Sequence, residues 1–218
     1  MLQAVIFDMD GVIVDSHPVH TKAWRRFLGS VGKEVSEDDL AFILEGRKKE
    51  DILRHFLGDL SPEEIERLGH KKELLFREEA RAELRPVQGV EHILQDFSQA
   101  GIKLGVASSG SDSRVHFVLQ KLRLTDYFAA IVAGDDVVLG KPDPAIFRLT
   151  SQKLDVDPKG ILVFEDSVSG VKAAKAAGMR CVGLAEPNRA PALLEAGADH
   201  IIDHFVGFSV SEAHNLFN

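Results

Sequence analysis

Ala4-Val5-Ile6-Phe7 is an apolar run that stops at Asp8-Met9-Asp10-Gly11. A short continuous run of this kind reads as a buried strand. Carboxylates at the carboxyl end of such a strand lie where open α/β sheets bind ligands. Asp8 and Asp10 repel each other, so a partner must stabilise the pair, and a hard divalent cation such as Mg²⁺ does so with oxygen ligands. The plainer alternative is a strand followed by an Asp-Gly turn.

The pattern beyond Ser16 is helical. Val19, Ala23, Phe27 and Val31 recur at helical spacing, with Gly32 as a stop. Leu40, Ile43 and Leu44 mark a second helix, and Ile52, Leu53, Phe56 and Leu57 a third. Ser61-Pro62-Glu63-Glu64 has a cap residue, a first-position proline and first-turn acids, so it starts a fourth. That helix is expected to run to about Leu84, because Pro86 bars continuation. From Gly89 onward, helical and strand patterns alternate: strands are expected at 102–107, 129–133, 161–164, 181–184 and 200–202. This βαβα order implies an α/β fold, a Rossmann-like parallel sheet covered on both faces. The helical stretch is then an insertion, giving a core of residues 1–14 and 84–218 and an all-helical cap of residues 15–83. A cap leaving the sheet just after Asp10-Gly11 is placed to close over a substrate.

Four polar stretches follow apolar strands: Asp8/Asp10, Ser108/Ser109, Lys141 on a later loop, and Glu165/Asp166. In a parallel sheet these converge on one edge. Together they hold what phosphoryl transfer needs. A carboxylate can attack phosphorus, a metal can cancel repulsion, and a lysine and a small hydroxyl can hold the equatorial oxygens. Ser108-Ser109-Gly110 at a helix start adds backbone N–H groups for an anion. Singly, Ser-Ser-Gly reads as a turn, Gly140-Lys141-Pro142-Asp143 as a rigid loop and Glu165-Asp166 as a solvated strand end.

In order and at strand ends, Asp8-x-Asp10-Gly11-Val12, Ser108, Gly140-Lys141-Pro142 and Glu165-Asp166 resemble the haloacid dehalogenase superfamily of phosphotransferases. The resemblance spans essentially the whole chain. The cap and the sequence around His20, Trp24 and Lys49 are similar to the branch of β-phosphoglucomutases and sugar phosphatases. The resemblance implies that Asp8 is the nucleophile and Asp10 the general acid and base. It implies that Ser108 and Lys141 hold the transferring phosphate. It implies Mg²⁺ bound by Asp8, Asp166 and the Asp10 carbonyl, with Glu165 in or beside that ligand set. Backbone N–H groups of Met9, Gly11 or Ser109 would face the phosphate. An acid two residues after the nucleophile also distinguishes phosphate chemistry from dehalogenation in this family.

Substrate recognition is expected from the cap. Glu45-Gly46-Arg47-Lys48-Lys49-Glu50-Asp51 reads as a charged loop, with Gly46, Arg47 and Lys49 facing a ligand or solvent. Mutase-like relatives offer an arginine here, and Lys49 lacks its bidentate fork. Lys72 interrupts the apolar stripe of Ile65, Leu68 and Leu75, so it either enters the cleft or snorkels. His20 shares a stripe with Ala23, Trp24 and Phe27, as a core residue or as a hydrogen-bonding partner near Asp10.

Twenty-six basic against 34 acidic residues give a net charge of −8, which argues against a nucleic-acid partner. The single Cys181 excludes an internal disulfide. No apolar run approaches a membrane span. A monomer in a reducing cytoplasm, without a signal peptide, is expected. The leading expectation is a Mg²⁺-dependent phosphohydrolase of a small phosphorylated metabolite, a sugar phosphate foremost. The alternatives are a sugar-phosphate mutase and a non-catalytic phosphometabolite-binding protein, the last disfavoured because Asp8, Asp10, Lys141 and Asp166 are all present.

Overall fold

The computed structural model describes residues 1–218. The core is a six-stranded parallel sheet built from β1 (Ala4–Phe7), β4 (Lys103–Ala107), β5 (Ala130–Val132), β6 (Ile161–Glu165), β7 (Arg180–Leu184) and β8 (His200–Ile202). Their order across the sheet is β5-β4-β1-β6-β7-β8. β1 is central, and the chain leaves it toward both sides. That is the topological switch point where such sheets open a crevice. The register brings Phe7 opposite both Val106 and Phe164. Asp8, Ser108 and Glu165, which follow or end these strands, therefore meet at one edge.

Alternation along β1 divides the core. Val5 and Phe7 enter one apolar cluster of 31 residues, and Ala4 and Ile6 enter another of 18 on the opposite face. Phe7 stacks on Phe164 with ring centroids 5.1 Å apart, and Phe97 and Phe205 pack at their edges. Aromatic contacts of this kind add about 0.5–1.5 kcal/mol each beyond area burial. They anchor the strand that carries Asp8.

Helices α5 (Val90–Gln99), α6 (Asp112–Leu122), α7 (Ala145–Leu154), α8 (Val168–Ala176), α9 (Ala190–Glu195) and α10 (Val210–Asn215) cover the core. The cap helices are α1 (His17–Gly29), α2 (Glu37–Ile43), α3 (Lys49–Leu57) and α4 (Pro62–Glu83). They enclose their own apolar cluster around Trp24, Phe27, Leu28 and Leu53. Ser61 and Glu64 form a reciprocal capping box at the start of α4. A two-residue antiparallel ribbon closes the insertion, β2 (Val14–Asp15) against β3 (Arg85–Pro86).

Three local expectations change. Helix α1 ends at Gly29, before Val31, because Ser30 takes up the last carbonyls. Residues 49–51, expected in a loop, form the first turn of α3, where Glu50 and Asp51 suit the positive helix end. α9, α10 and the ribbon have no counterpart in the pattern reading.

Candidate active site

The floor of the crevice is a buried charge cluster. Asp8 follows β1, and its N–H donates to the Phe164 carbonyl at 2.9 Å. Lys141 reaches in from the loop before α7 and donates to Asp8, to Glu165 Oε1 at 2.5 Å and to the Ala107 carbonyl at 3.2 Å. Only 3% of Lys141 is exposed. Burial opposes its charge, but Asp8 and Glu165 outweigh burial and raise its pKa. Asp8 is itself raised, chiefly by burial, with Glu165, Asp166 and Asp10 adding repulsion against the pull of Lys141.

Of its two expected places, in the ligand set or beside it, Glu165 takes the second. It has no exposed surface. Oε1 accepts from Lys141, while Oε2 accepts from the N–H groups of Asp166 and Ser167 and from the Ser167 hydroxyl. Gly170 packs against it so closely that a Cβ there would sit 1.9 Å from the carboxyl carbon. Glu165 therefore orients Lys141 and the turn carrying Asp166, with no oxygen presented to the cleft.

Asp166 does present one. Its Oδ2 is buried and has no hydrogen-bond partner. His17 Nε2 lies 3.2 Å away and Arg189 Nη1 3.9 Å away, within ion-pair reach. Gly11, at φ +78°, faces the same oxygen, and a Cβ would stand 2.4 Å from it. A buried carboxylate oxygen that makes no well-aligned hydrogen bond, close to the Asp8 carboxylate that repels it, fits a hard divalent cation. No three His, Cys, Asp or Glu side chains gather as a ready-made cluster. Backbone, water or phosphate oxygens would complete the shell. The Asp10 side chain is engaged elsewhere, so Asp10 could serve a metal only through its carbonyl, as expected.

Asp10 points toward the cap. Ser16 Oγ donates to Oδ1 at 2.6 Å, His20 Nε2 stands 3.2 Å from Oδ1, and Arg114 Nη2 donates to Oδ2 at 2.8 Å. Burial works against ionisation, but Arg114 and His20 prevail and hold the carboxyl well below its ordinary range. His20 thus takes the second of its two expected roles. Burial, then Lys72 and Arg114, push its pKa down to about 3, so its ring is neutral at neutral pH. Nδ1 lies 3.0 Å from Lys72 Nζ. Nε2 faces both Asp10 Oδ1 and the Arg114 guanidinium.

Lys72 faces the cleft rather than snorkelling. It is 5% exposed, sits over the rings of Trp24 and Phe76, and has no carboxylate partner. Burial and the neighbouring Arg114 lower its pKa to about 7.

Above the cluster lies a cavity of about 310 Å³, bordered by Asp8, Asp10 and Asp166 below and by Lys49, Lys72 and Trp24 from the cap. The cap loop is docked. Ser109 Oγ donates to the Gly46 carbonyl at 2.6 Å, Ser169 Oγ donates to the Glu45 carbonyl, and Lys48 Nζ donates to the Val137 carbonyl at 2.8 Å. Gly46 itself is at φ +70°, and a Cβ would lie 2.9 Å from Ser167 Oγ. The Ser109 hydroxyl therefore holds the cap. Ser108 is fully buried beneath, its Oγ accepting from the Gly110 N–H at 3.1 Å.

Arg47 stacks over Phe42 at 4.4 Å, with Nε buried and unpartnered. Lys49 lines the cavity, but its ammonium stands 3.8 Å from both Glu50 and Asp135. Arg114, His17, Arg189 and Ser169 were missed by pattern reading. Each lies on a helix or loop whose local sequence gives no cue to the distant residue it meets.

The fold and the crevice define an α/β enzyme with a capped, carboxylate-based site. Residues 5–184 match the family model for haloacid dehalogenase-like hydrolases, and the chain belongs to that family. A phosphorylated carbohydrates phosphatase of Thermotoga maritima is 37% identical over 211 residues, covering 90% of this chain and 92% of its own. The β-phosphoglucomutase of Bacillus subtilis is 32% identical over 193 residues, covering 85% and 84%. The crystal structure of a mutant of CbbY from Rhodobacter sphaeroides with xylulose-(1,5)bisphosphate superposes with a TM-score of 0.86 at 27% identity, covering 97% and 99%. The chain is thus an enzyme of the haloacid dehalogenase superfamily, a hydrolase or a mutase, which sets aside a non-catalytic binding role. No helix is long and apolar enough to cross a membrane.

Proposed function

We propose that this enzyme is a Mg²⁺-dependent phosphatase of small phosphorylated metabolites, sugar phosphates foremost, working through an aspartyl-phosphate on Asp8. The observation that carries the reading is the Asp8 carboxylate at the cavity floor, held by buried Lys141 and facing the cleft with Asp10. The carbohydrate phosphatase relative supports the substrate class. Residues 15–83 serve as the cap, and residues 1–14 with 84–218 as the core.

An Asp8 oxygen attacks phosphorus while the bond to the leaving oxygen breaks. Asp10, ionised before substrate binds, takes up a proton as the substrate's phosphate binds and gives it to that oxygen. Lys141 and the Ser108 hydroxyl hold the phosphoryl oxygens as charge spreads over them. Asp10, now ionised, takes a proton from water. The water oxygen bonds to phosphorus, the Asp8–phosphorus bond breaks, and inorganic phosphate leaves. Asp8, Asp166 and the Asp10 carbonyl would hold Mg²⁺, which when bound cancels repulsion between the carboxylates and the phosphate. Met9, Gly11 and Ser109 N–H groups are candidates to face the phosphate.

The mutase reading draws on the β-phosphoglucomutase relative and on Lys49 in the cavity. Two carboxylates near Lys49 compete with a second phosphate for that charge, which favours water as acceptor. The test supplies β-glucose 1-phosphate with Mg²⁺ and a trace of glucose 1,6-bisphosphate. Free phosphate is the expected product. Glucose 6-phosphate without phosphate release would establish the mutase instead.

A further inference from the structure

The geometry points to Arg114 as a positioning residue that fixes the Asp10 carboxylate for proton transfer when the cap is docked. This rests on the phosphoryl-transfer reading above and adds to it a residue from outside the four strand-end motifs. Arg114 lies in the first turn of α6 and is 8% exposed. Its guanidinium folds back past the strand end and donates through Nη2 to Asp10 Oδ2 at 2.8 Å.

The same guanidinium touches the cap. Nη1 lies 2.5 Å from His20 Nε2, and the carbon of the guanidinium is 5.4 Å from the Phe76 ring centre. His20 belongs to α1 and Phe76 to α4, so one core side chain packs against two cap helices while bonded to Asp10. Asp10 is then held from three sides: Ser16 and His20 on Oδ1, Arg114 on Oδ2. Arg114 alone constrains Oδ2, so it sets the rotation of the carboxylate. A proton donor must lie within hydrogen-bond reach of the leaving oxygen, and a displacement of about 1 Å costs about 10²-fold.

Gly110 makes the arrangement possible. A Cβ there would stand 2.2 Å from Arg114 Nη2 and 2.6 Å from Nε. The glycine thus vacates the space in which the guanidinium lies. Its φ is not in the left-handed region. Alanine would therefore strain no backbone there and would displace only the far end of a flexible side chain.

The test uses the full-length protein with Mg²⁺ and two aryl esters of similar shape, p-nitrophenyl phosphate and phenyl phosphate. kcat/KM reports the steps up to aspartyl-phosphate formation, where Asp10 protonates the leaving oxygen. Phenolate is the poorer leaving group and depends more on that proton. Arg114→Met is expected to lower kcat/KM for phenyl phosphate at least about tenfold more than for p-nitrophenyl phosphate, a modest share of the roughly 10²–10⁴-fold a general acid supplies. Gly110→Ala, which keeps the arginine, is expected to show the same selective loss and carries the test if Arg114→Met does not fold. Arg114→Lys, with a single point-like ammonium in place of a planar fork, is expected to fall between. Equal losses on both esters, or no loss, overturn the inference while leaving the parent reading standing. Turnover that survives Asp8→Asn overturns the parent reading and this one with it.

Discussion

Lys141 Nζ and Glu165 Oε1 stand 2.5 Å apart, both buried, and the same ammonium is bonded to Asp8. One cation therefore compensates two carboxylates in a medium that solvates none of them. Lys141→Met would leave both uncompensated, and breaking a buried pair in this way costs about 3–5 kcal/mol. Chemical denaturation of the metal-free variant should show a loss of that order, together with loss of turnover. A variant as stable as the parent would mean that water reaches the cluster and that Lys141 is not what holds it.

The unpartnered Asp166 Oδ2 gives a metal prediction with a readout apart from activity. The folded state raises the Asp8 pKa, burial being the main cause and neighbouring carboxylates adding to it. Between its ordinary 3.8 and the raised value the folded state binds more protons than the unfolded chain. Asp8 therefore takes stability away as pH rises through that window. In EDTA, Asp8→Asn should raise the melting temperature at pH 7 and reduce this contribution to the pH slope. Mg²⁺ should stabilise the parent, by about 2.7 kcal/mol at a hundred times its dissociation constant. Asp166→Asn should lose most of that shift. An unchanged Mg²⁺ response in Asp166→Asn would remove Asp166 from the ligand set.

The sheet and the strand-end residues were legible because both come from local pattern. An apolar run closed by acids predicts β1 and Asp8 together, and parallel pairing then brings Ser108 and Glu165 beside them. Glu165 shows where that reasoning stops. Its type suggests a ligand, but Ser167 and the N–H groups of the next turn take up one oxygen and Lys141 the other. Arg114 was illegible for a different reason. Its partner is 104 residues away, and its path depends on the missing Cβ of Gly110. The β2–β3 ribbon has two residues per strand, too few for any alternation to register.

Two serine hydroxyls from the core hold the cap loop. Ser109 donates to the Gly46 carbonyl and Ser169 to the Glu45 carbonyl. A net hydrogen bond contributes about 0.5–1.5 kcal/mol. Ser109→Ala with Ser169→Ala should thus shift the closed-to-open balance by about 1–3 kcal/mol. Limited proteolysis should cut the 44–48 segment faster than in the parent, with the global unfolding midpoint little changed. KM for a sugar phosphate should rise about tenfold. Proteolysis at the parental rate would mean that other contacts, such as Lys48 to Val137, suffice to hold the loop.

Lys72 contributes to the site at a cost to the fold. It is buried, contacts the neutral His20 and has no carboxylate to pair with. Burial, followed by Arg114, lowers its pKa to about 7 from 10.5. Between those values the unfolded chain holds a proton that the folded state has released. Stability must therefore rise with pH across roughly 7 to 10.5, and below about 7 the folded state carries a charge in a poor environment. Lys72→Met keeps the stem's packing against Trp24 and Phe76 and removes the charge. The variant should melt higher at pH 7, by about 2–4 °C for each kcal/mol gained. It should also lose the parent's stability gain between pH 7 and 10. Sugar-phosphate turnover should fall, since the same ammonium borders the cavity. A variant that is less stable at pH 7, or that keeps the parental pH slope, would show that Lys72 is solvated or paired in solution.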